Sequence, residues 1–319
     1  MTPVILETAK SVIGIYLVGL LGFYLGKSGF IPPENRKIFP KLVTSVALPP
    51  YLFVEVTRSF SKEELLSLIG GTLVPIISIL AVFGLALLYV KIFAPSPRRR
   101  GLISVGSATS NTIFIGLPVN IALFGHEAIV YVLLYFFANT TFFWTIGNYA
   151  LSLDGAKAPG QFSKNAALQA ILSPPFIGFL LGLAFVTLNI SPPQFVEDSL
   201  SLVGGLTTPL ALLFIGLSLV GATLASLKPN TDLWVTLAGR FVISPLLVFL
   251  LTRYLIPAPP LMTKVFIIQS SLPAAANLAL MSAYHGSDAT FASLVVSFST
   301  LLSLVTIPLY MVLFSLLGV

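Results

Sequence analysis

Long apolar stretches follow one another along almost the entire chain. Windows of membrane-spanning length, about 17–25 residues each, can be placed at ten positions: 8–27, 38–57, 70–93, 101–123, 128–151, 167–189, 200–225, 232–256, 262–284 and 290–317. Only 9% of the residues are charged, whereas a soluble domain has about 25%. Lipid offers no partner to an exposed backbone group, so such segments must be helical. The sequence therefore predicts an all-α polytopic membrane protein with ten transmembrane helices.

Composition and missing motifs exclude several classes of function. The chain has no cysteine and only two histidines, so we expect no metal site, no cofactor and no thiol chemistry. His126-Glu127 lacks the second histidine of a zinc-protease helix. Neither a nucleophile-elbow motif nor an ATP-binding phosphate loop occurs. We therefore predict neither an enzyme nor an ATP-driven pump, and the net charge of +6 requires no nucleic-acid partner.

Lysine and arginine are concentrated in alternate loops. Most of them lie after the first, third, fifth and seventh windows: Lys27, Arg36, Lys37, Lys41, Lys91, Arg98, Arg99, Arg100, Lys157, Lys164 and Lys228. Cytoplasmic loops carry the excess of positive charge. The sequence therefore predicts that these loops are cytoplasmic and that both termini face outward. The short loops and the absence of a transit peptide favour the plasma (inner) membrane of a prokaryote.

The two halves of the chain repeat. When Leu20 is aligned with Leu180, nine of the 33 positions from Leu20 to Leu52 are identical without a gap, among them Gly22 with Gly182 and Pro49 with Pro209. We predict a first repeat at 1–151, a cytoplasmic linker at 152–166 and a second repeat at 167–319. Five helices per repeat invert the second one in the membrane, and such inverted repeats place the substrate site at their interface near the midplane.

The fourth window contains a helix break with polar residues beside it. Pro118 removes a backbone donor and Gly116 relaxes the chain, while Ser110, Asn111 and Thr112 stand just before them. Interrupted helices of this kind form small-solute sites in transporters. The alternative is that these polar groups only bridge neighbouring helices.

The ninth window contains a matching break. It carries Ser271, Pro273 and Asn277, and a one-residue slip in the alignment of the repeats matches Ser110 with Ser271. We predict that the two broken helices cross near the centre, with Ser110, Asn111, Thr112, Ser271 and Asn277 binding substrate. The N-termini of half-helices carry a positive dipole end, which suits an anion.

At these residues the sequence resembles the auxin efflux carrier family, which includes PIN-formed carriers and prokaryotic malate or malonate permeases. The matching motifs are Asn111-Thr112-x-x-x-Gly116-Leu117-Pro118-Val119, Leu272-Pro273, Arg240-Phe241 with Pro245, Pro209, and the run from Ser299 to Pro308. The resemblance covers essentially the whole chain.

The resemblance implies a mechanism and an assembly. Helices 1, 2, 6 and 7 would form a scaffold that dimerises, with Pro49, Pro50 and Pro209 as hinge prolines. Helices 3–5 and 8–10 would form a transport domain that moves as an elevator. Asn111 would meet a substrate carboxylate, and Pro118 and Pro273 would be the prolines of the crossing.

Three charged residues inside or beside the apolar windows leave alternatives open. Glu55 either carries a proton or cation or pairs with Arg58 or Lys62, the latter being favoured because helix-end charges reach the interface. Arg240 balances the anionic substrate, caps the broken backbone of helix 4, or reaches the cytoplasmic surface. Asp288 is expected to cap helix 10, with ion coupling as the alternative.

The favoured function is a secondary transporter that moves a small organic anion, a carboxylate, across the bilayer. Coupling to Na⁺, coupling to H⁺ and uniport are all compatible with the few buried acids. Two alternatives remain: a symporter of the sodium–bile-acid type, and a ligand sensor that uses the same fold without transport.

Overall fold

The computed structural model describes residues 17–59, 61–62, 69–155, 174–220 and 230–317. Over these residues the chain is helical and contains no β-strand, which confirms the all-α prediction. Several predictions lie outside the described residues: the start of the first and sixth windows, the end of the seventh, and most of the linker 152–166.

The first half contains α1 to α5, of which α4 is interrupted. Their bounds are Leu17–Lys27 for α1, Pro33–Lys37, Ile38–Leu42, Val43–Ala47 and Leu48–Ser59 for the consecutive turns of α2, Ile69–Thr72 and Leu73–Phe93 for α3, Arg100–Ala108 for α4a, Gly116–Phe124 for α4b, and His126–Ala128, Ile129–Phe142, Phe143–Gly147 and Asn148–Leu153 for α5.

The second half contains α6 to α10, of which α9 is interrupted. Their bounds are Pro174–Thr187 for α6, Gln194–Gly204 and Thr207–Leu219 for α7, Thr231–Ala238, Gly239–Ile243, Ser244–Leu250 and Leu251–Leu255 for α8, Pro260–Ser270 for α9a, Asn277–His285 for α9b, and Ala289–Leu317 for α10.

Five of the described helices are long and apolar enough to cross a membrane. They are Gly70–Phe93, His126–Leu153, Gln194–Leu217, Thr231–Leu255 and Ala289–Phe314. The breaks in α4 and α9 divide those windows into pieces that are each too short to span alone. The five helices make the chain a membrane protein, and the full set of ten spans stays a prediction.

Proline occupies the first turn of the α-helix that follows each of several irregular segments. Pro49 and Pro50 follow the π-helical turn of α2, Pro209 begins the second part of α7, and Pro245 follows the π-helical turn of α8. Pro209 lies in the first turn of its helix, where N–H groups lack internal partners and proline costs little. Pro49, Pro50 and Pro245 instead continue a helix whose hydrogen-bond ladder is already altered by a π-helical turn. The hinge role of these prolines stays a prediction, but each marks a change in helix geometry.

Glycines bring two helix pairs into close contact. A Cβ on Gly22 of α1 would lie 2.2 Å from the Leu213 carbonyl oxygen of α7. A Cβ on Gly182 of α6 would lie 3.1 Å from the Phe53 carbonyl oxygen of α2. Small residues allow such backbone approach between membrane helices. The two contacts join residues that correspond to each other in the alignment of the repeats.

The remaining helices enclose the two broken ones. The larger apolar cluster includes Leu117, Tyr135 and Phe266, and the smaller one includes Leu102 and Phe291. Helix α3 packs on α4a, α5 packs on α9a, and α10 packs on α9b. Both breaks are thereby held inside protein, where non-helical backbone is tolerated at membrane depth.

Candidate functional site

The two interrupted segments pair with each other. The Asn111 N–H donates to the Pro273 carbonyl oxygen at 2.9 Å, and the Ala275 N–H donates to that of Thr109 at 3.3 Å. Ser110 and Ala274 thereby form an antiparallel bridge. Each break supplies the hydrogen-bond partners that the other lost when its helix ended. We call this pair of hydrogen-bonded breaks the crossing; that α4 and α9 cross near the membrane midplane stays a prediction.

Two neighbouring helices hold this pair in place. The Asn139 amide of α5 donates to the Ser110 carbonyl oxygen at 3.0 Å and accepts from the Ser110 N–H at 2.9 Å. The Ser299 hydroxyl oxygen of α10 accepts from the Ala274 N–H at 3.0 Å. Asn139 and Ser299 lie 160 residues apart, the offset of the two repeats at Leu20–Leu52, and each half supplies one side-chain anchor to the crossing.

The break in α4 lies before Pro118 rather than at it. Helix α4a ends at Ala108 and α4b begins at Gly116, which makes Pro118 the third residue of α4b. Pro273, in contrast, lies inside the break of α9 and contributes its carbonyl to the crossing. A Cβ on Gly116 would lie 2.5 Å from the Gln269 Oε1 atom and from the Leu272 Cδ1 atom, so both buried side chains would have to shift.

A cavity of about 80 Å³ opens beside the crossing, with room for several water molecules. It is lined by polar and aromatic side chains together: Ser110, Asn111, Thr112, Ile113, Phe114, Phe136, Asn139, Thr140, Phe143, Trp144, Ala275, Ala276 and Asn277. None of these lining residues is charged. The cavity adjoins the first residue of α9b, and the partial positive charge of a helix N-terminus favours an anion there.

The polar lining offers free hydrogen-bonding groups. The buried Ser110 hydroxyl has no hydrogen-bond partner among the described residues. The side chains of Asn111 and Asn277 likewise form no hydrogen bond within the part of the chain that the structure describes. Amide and hydroxyl groups without internal partners are available to a ligand, and amide N–H groups can donate to carboxylate oxygens.

The structure brings four of the five predicted binding residues to the cavity, and Ser271 is the exception. Ser271 is fully buried, and its hydroxyl donates to the Ile268 carbonyl oxygen at 3.0 Å. A serine at a helix end readily satisfies a backbone carbonyl in this way. Its predicted role in substrate binding is therefore not supported by its position.

The aromatic lining was missed as part of a site. Phe136, Asn139, Thr140, Phe143 and Trp144 recur at intervals of three and four residues, the spacing of one face of a helix. No residue of this face is among the predicted binding residues, although the face combines aromatic with polar side chains. This combination on one helix face was the sequence signal that could have indicated a binding site.

Arg240 is buried at the end of α9a. Its Nε donates to the Ser270 carbonyl oxygen at 3.1 Å, and its Nη2 donates to the same oxygen and, at 2.9 Å, to the Ser244 hydroxyl. The side chain is 0% exposed. The alternative in which Arg240 reaches the cytoplasmic surface is therefore wrong. The capping alternative is right in kind, but the capped helix is α9a and not helix 4.

Asp288 caps α10 as predicted. Its Oδ1 accepts from the Phe291 N–H at 2.9 Å, and its Oδ2 pairs with Arg99 at 2.7 Å. Partial burial acts to raise the pKa of Asp288, but the Phe291 N–H and the arginine outweigh it and lower that pKa. The carboxylate is therefore held in its charged form.

Glu55 has a different partner from the one predicted. Its carboxylate lies 3.3 Å from the His126 ring nitrogen, while Arg58 pairs with Glu197 of α7. The expected pairing of Glu55 with Arg58 or Lys62 is wrong, because the fold brings the loop after α4b close to α2. Ion coupling through Glu55 or Asp288 stays a prediction.

A further carboxylate, Asp154, holds the start of α4a. It accepts the N–H groups of Gly101 and Leu102, each at 2.8 Å. Burial raises the pKa of Asp154 to about 6, although these two hydrogen bonds and the charge of Arg100 act in the opposite direction. No local pattern in the sequence indicates this contact, since its partners belong to a different helix window.

Comparison with known proteins places the chain among transporters. The model of a family described as "membrane transport protein" matches residues 8–311. An uncharacterized transporter of Methanothermobacter thermautotrophicus is 26% identical over 316 residues, which cover 97% of this chain and 99% of that protein. The uncharacterized transporter MJ1031 of Methanocaldococcus jannaschii is 26% identical over 93% of this chain and 95% of its own length.

A bacterial relative is also similar. The uncharacterized transporter YfdV of Escherichia coli is 24% identical over 210 residues, which cover 64% of this chain and 66% of that protein. The family match spans nearly the whole sequence and includes both broken helices. The chain therefore belongs to the membrane transport protein family, the auxin efflux carrier-like family whose motifs its sequence carries.

Proposed function

We propose that this membrane transporter is a secondary transporter of a small organic anion and that the cavity at the crossing is its substrate site. The observation that carries the proposal is the lining itself. Neutral amides and hydroxyls without internal partners face a space beside the N-terminus of α9b. Donors of this kind suit a carboxylate. The aromatic side chains Phe114, Phe136, Phe143 and Trp144 provide apolar contact for the organic part of the substrate.

A binding screen tests this proposal. Purified protein is heated with a panel of small mono- and dicarboxylates and an indole acid, with and without Na⁺. A ligand at 100 times its dissociation constant stabilises by about 2.7 kcal/mol, so the unfolding temperature should rise. Asn111→Ala removes a free amide, and a tenfold loss of affinity should reduce the stabilisation to about 1.4 kcal/mol or less. Asn35→Ala, which alters an exposed amide away from the cavity, should keep the full shift.

A rise in the unfolding temperature that is equal in Asn111→Ala and wild type would contradict the site assignment. No response to any carboxylate, with a response to a neutral or lipid-like compound, would contradict the anion class and favour a different substrate or a sensor.

For the architecture, we propose two inverted five-helix repeats with cytoplasmic basic loops and outward termini. The support is a set of equivalent contacts. Gly22 with Leu213 corresponds to Gly182 with Phe53, and the half-helices Gly116–Phe124 and Asn277–His285 have nine residues each. Inverted repeats generate such paired contacts by symmetry.

For the transport step, we propose an elevator-like movement of helices 3–5 and 8–10 against a scaffold of helices 1, 2, 6 and 7, which also dimerises. Phe114 beside the cavity contacts Phe214 of α7, with ring centroids 5.6 Å apart. This contact joins the two proposed domains and must change if they slide. The substrate would then cross the membrane together with the moving domain, which exposes the site to each side in turn.

Because the chain contains no cysteine, a paired substitution can lock this contact. Phe114→Cys together with Phe214→Cys, joined by a short bifunctional maleimide, should stop transport in proteoliposomes. Each single variant treated with the same reagent serves as the control. Cross-linked protein that transports at the rate of the single variants would contradict a sliding movement at this interface.

We assign no cofactor to the transport step and leave Na⁺ and H⁺ as candidate coupling ions. The relatives of this chain come from archaea and bacteria, which supports the proposed location in a prokaryotic plasma membrane. The partners of the protein would then be the bilayer, its organic anion and a second copy of the chain.

A further inference from the structure

The carbonyl end of α9a needs a positive charge. An α-helix carries a partial negative charge at its C-terminus, where its last carbonyl groups lack internal partners. Here that end is buried at the crossing, out of contact with water, since Gln269, Ser270 and Ser271 are all 0% exposed. Several transporters meet the same requirement with a bound Na⁺ that is coordinated by freed carbonyl groups.

In this chain, donors of the protein itself form hydrogen bonds to those carbonyl groups. The Ser270 carbonyl oxygen accepts from Arg240. The Ile267 carbonyl accepts from the Ser270 hydroxyl at 2.8 Å, and that of Ile268 accepts from the Ser271 hydroxyl at 3.0 Å. Three of the carbonyls in the last turn are thereby taken, and only one of their donors is charged.

The guanidinium has no acid to balance it. Arg240 forms no ion pair with any residue that the structure describes, and its Nη1 has no hydrogen-bond partner there. A buried charge without a partner is strongly unfavourable. The favourable contributions available to Arg240 are its attraction to the carbonyl end of α9a, its hydrogen bond to Ser244 and the nearby hydroxyls of Tyr135 and Tyr310.

The local backbone of α8 places the Arg240 guanidinium at the carbonyl end of α9a. Arg240 lies in the π-helical turn Gly239–Ile243, an insertion that is frequent at functional sites. A Cβ on Gly239 would lie 2.7 Å from the Cβ of Ser107. The glycine therefore lets α8 approach α4a closely, and the next residue, Arg240, reaches the Ser270 carbonyl oxygen of α9a.

We propose that Arg240 takes the place of a bound cation at the carbonyl end of α9a, so that its fixed charge, and not only its shape, maintains the crossing. This end of the crossing then requires no Na⁺. Arg240 is a positioning residue, because it lies outside the cavity lining and acts through the backbone that carries Pro273 and Asn277. This inference rests on the proposed function in one respect, namely that the substrate site lies at the crossing.

The test uses the full-length protein without substrate, so that it does not depend on which solute is transported. Arg240→Ala leaves a hole that a small cation can enter. Its unfolding temperature should fall by at least about 5 °C and should recover by at least half in millimolar methylguanidinium. Methylurea has nearly the same shape without the charge and should not restore it. Wild type and Arg253→Ala, which alters an exposed arginine of the same helix, should respond to neither compound.

Equal recovery with methylurea, or an Arg240→Ala protein as stable as wild type, would overturn the proposal. If Arg240→Ala does not fold, Arg240→Lys and Arg240→Gln replace it. The lysine variant keeps the charge and should unfold nearer to wild type than the glutamine variant, and the reverse order would overturn the proposal. Charge-dependent rescue without any carboxylate binding would instead retain the role of Arg240 and reject the organic-anion function.

Discussion

Asn139→Ala should weaken the crossing more than any other single change to its anchors. The substitution leaves the Ser110 N–H without its partner and removes one of the two donors to the Ser110 carbonyl oxygen, the other being the Thr112 N–H. A buried donor left unpaired costs about 1–3 kcal/mol, and a lost hydrogen bond contributes about 1 kcal/mol more. We therefore expect a loss of about 2–4 kcal/mol. Ser299→Ala leaves only the Ala274 N–H without its partner and should lower the free energy of unfolding by about 1–3 kcal/mol.

Two measurements check this order. The unfolding temperature of Asn139→Ala should fall by about 4–8 °C, and that of Ser299→Ala by less. Amide hydrogen exchange in a peptide around Ser110 should quicken by about 30- to 1000-fold, since about 1.4 kcal/mol corresponds to a factor of ten. Exchange in α1, far from the crossing, should not change.

Asn148→Ala is the matched control on the same helix. The Asn148 amide contacts His285 at 2.8 Å, and both side chains are only half-buried, so water can replace the lost contact at little cost. An Asn139→Ala protein no less stable than Asn148→Ala, with unchanged exchange around Ser110, would refute the anchoring role.

Two further changes test contacts away from the cavity. The pKa of Asp154 is about 6 in the folded protein and near 3.9 in the unfolded chain. Between these pH values the folded state therefore binds more protons than the unfolded state. The contribution of Asp154 to the free energy of unfolding falls by about 3 kcal/mol as the pH rises through this range. The unfolding temperature of wild type minus that of Asp154→Asn should therefore decrease from pH 4.5 to 7.5, and an increase would contradict the burial argument. Gly22→Leu should push α1 away from α7, because its Cβ would lie 2.2 Å from the Leu213 carbonyl oxygen, and should cost about 1–3 kcal/mol. Gly84→Leu has no atom within 4 Å and should be tolerated, and equal thermal unfolding of the two variants would count against the close packing.

The broken helices could be predicted from the sequence because their causes are local. Proline, glycine and short polar residues stand together at both places, and each disfavours a continuous helix by its own backbone chemistry. The exact position was less predictable. Proline is tolerated in a first helical turn, so Pro118 marks where α4b begins and not where α4a ends.

Partners that are distant along the chain could not be predicted in the same way. Arg240 and Ser270 are 30 residues apart, and Glu55 and His126 are 71 residues apart. A sequence shows which residues need a partner but not which of several candidates the fold brings near. Capping of broken backbone was therefore among the roles expected for Arg240, while the identity of the capped helix came only from the structure.

The central claim is that the cavity at the crossing carries an organic anion across the membrane. The most direct measurement is the uptake of a labelled carboxylate from the binding screen into proteoliposomes that contain wild type or Asn111→Ala. We expect saturable uptake by wild type and at least about a tenfold lower uptake by the variant, which corresponds to the loss of one hydrogen bond worth about 1.4 kcal/mol. Binding without uptake above that of empty liposomes, or equal uptake by both proteins, would contradict the account.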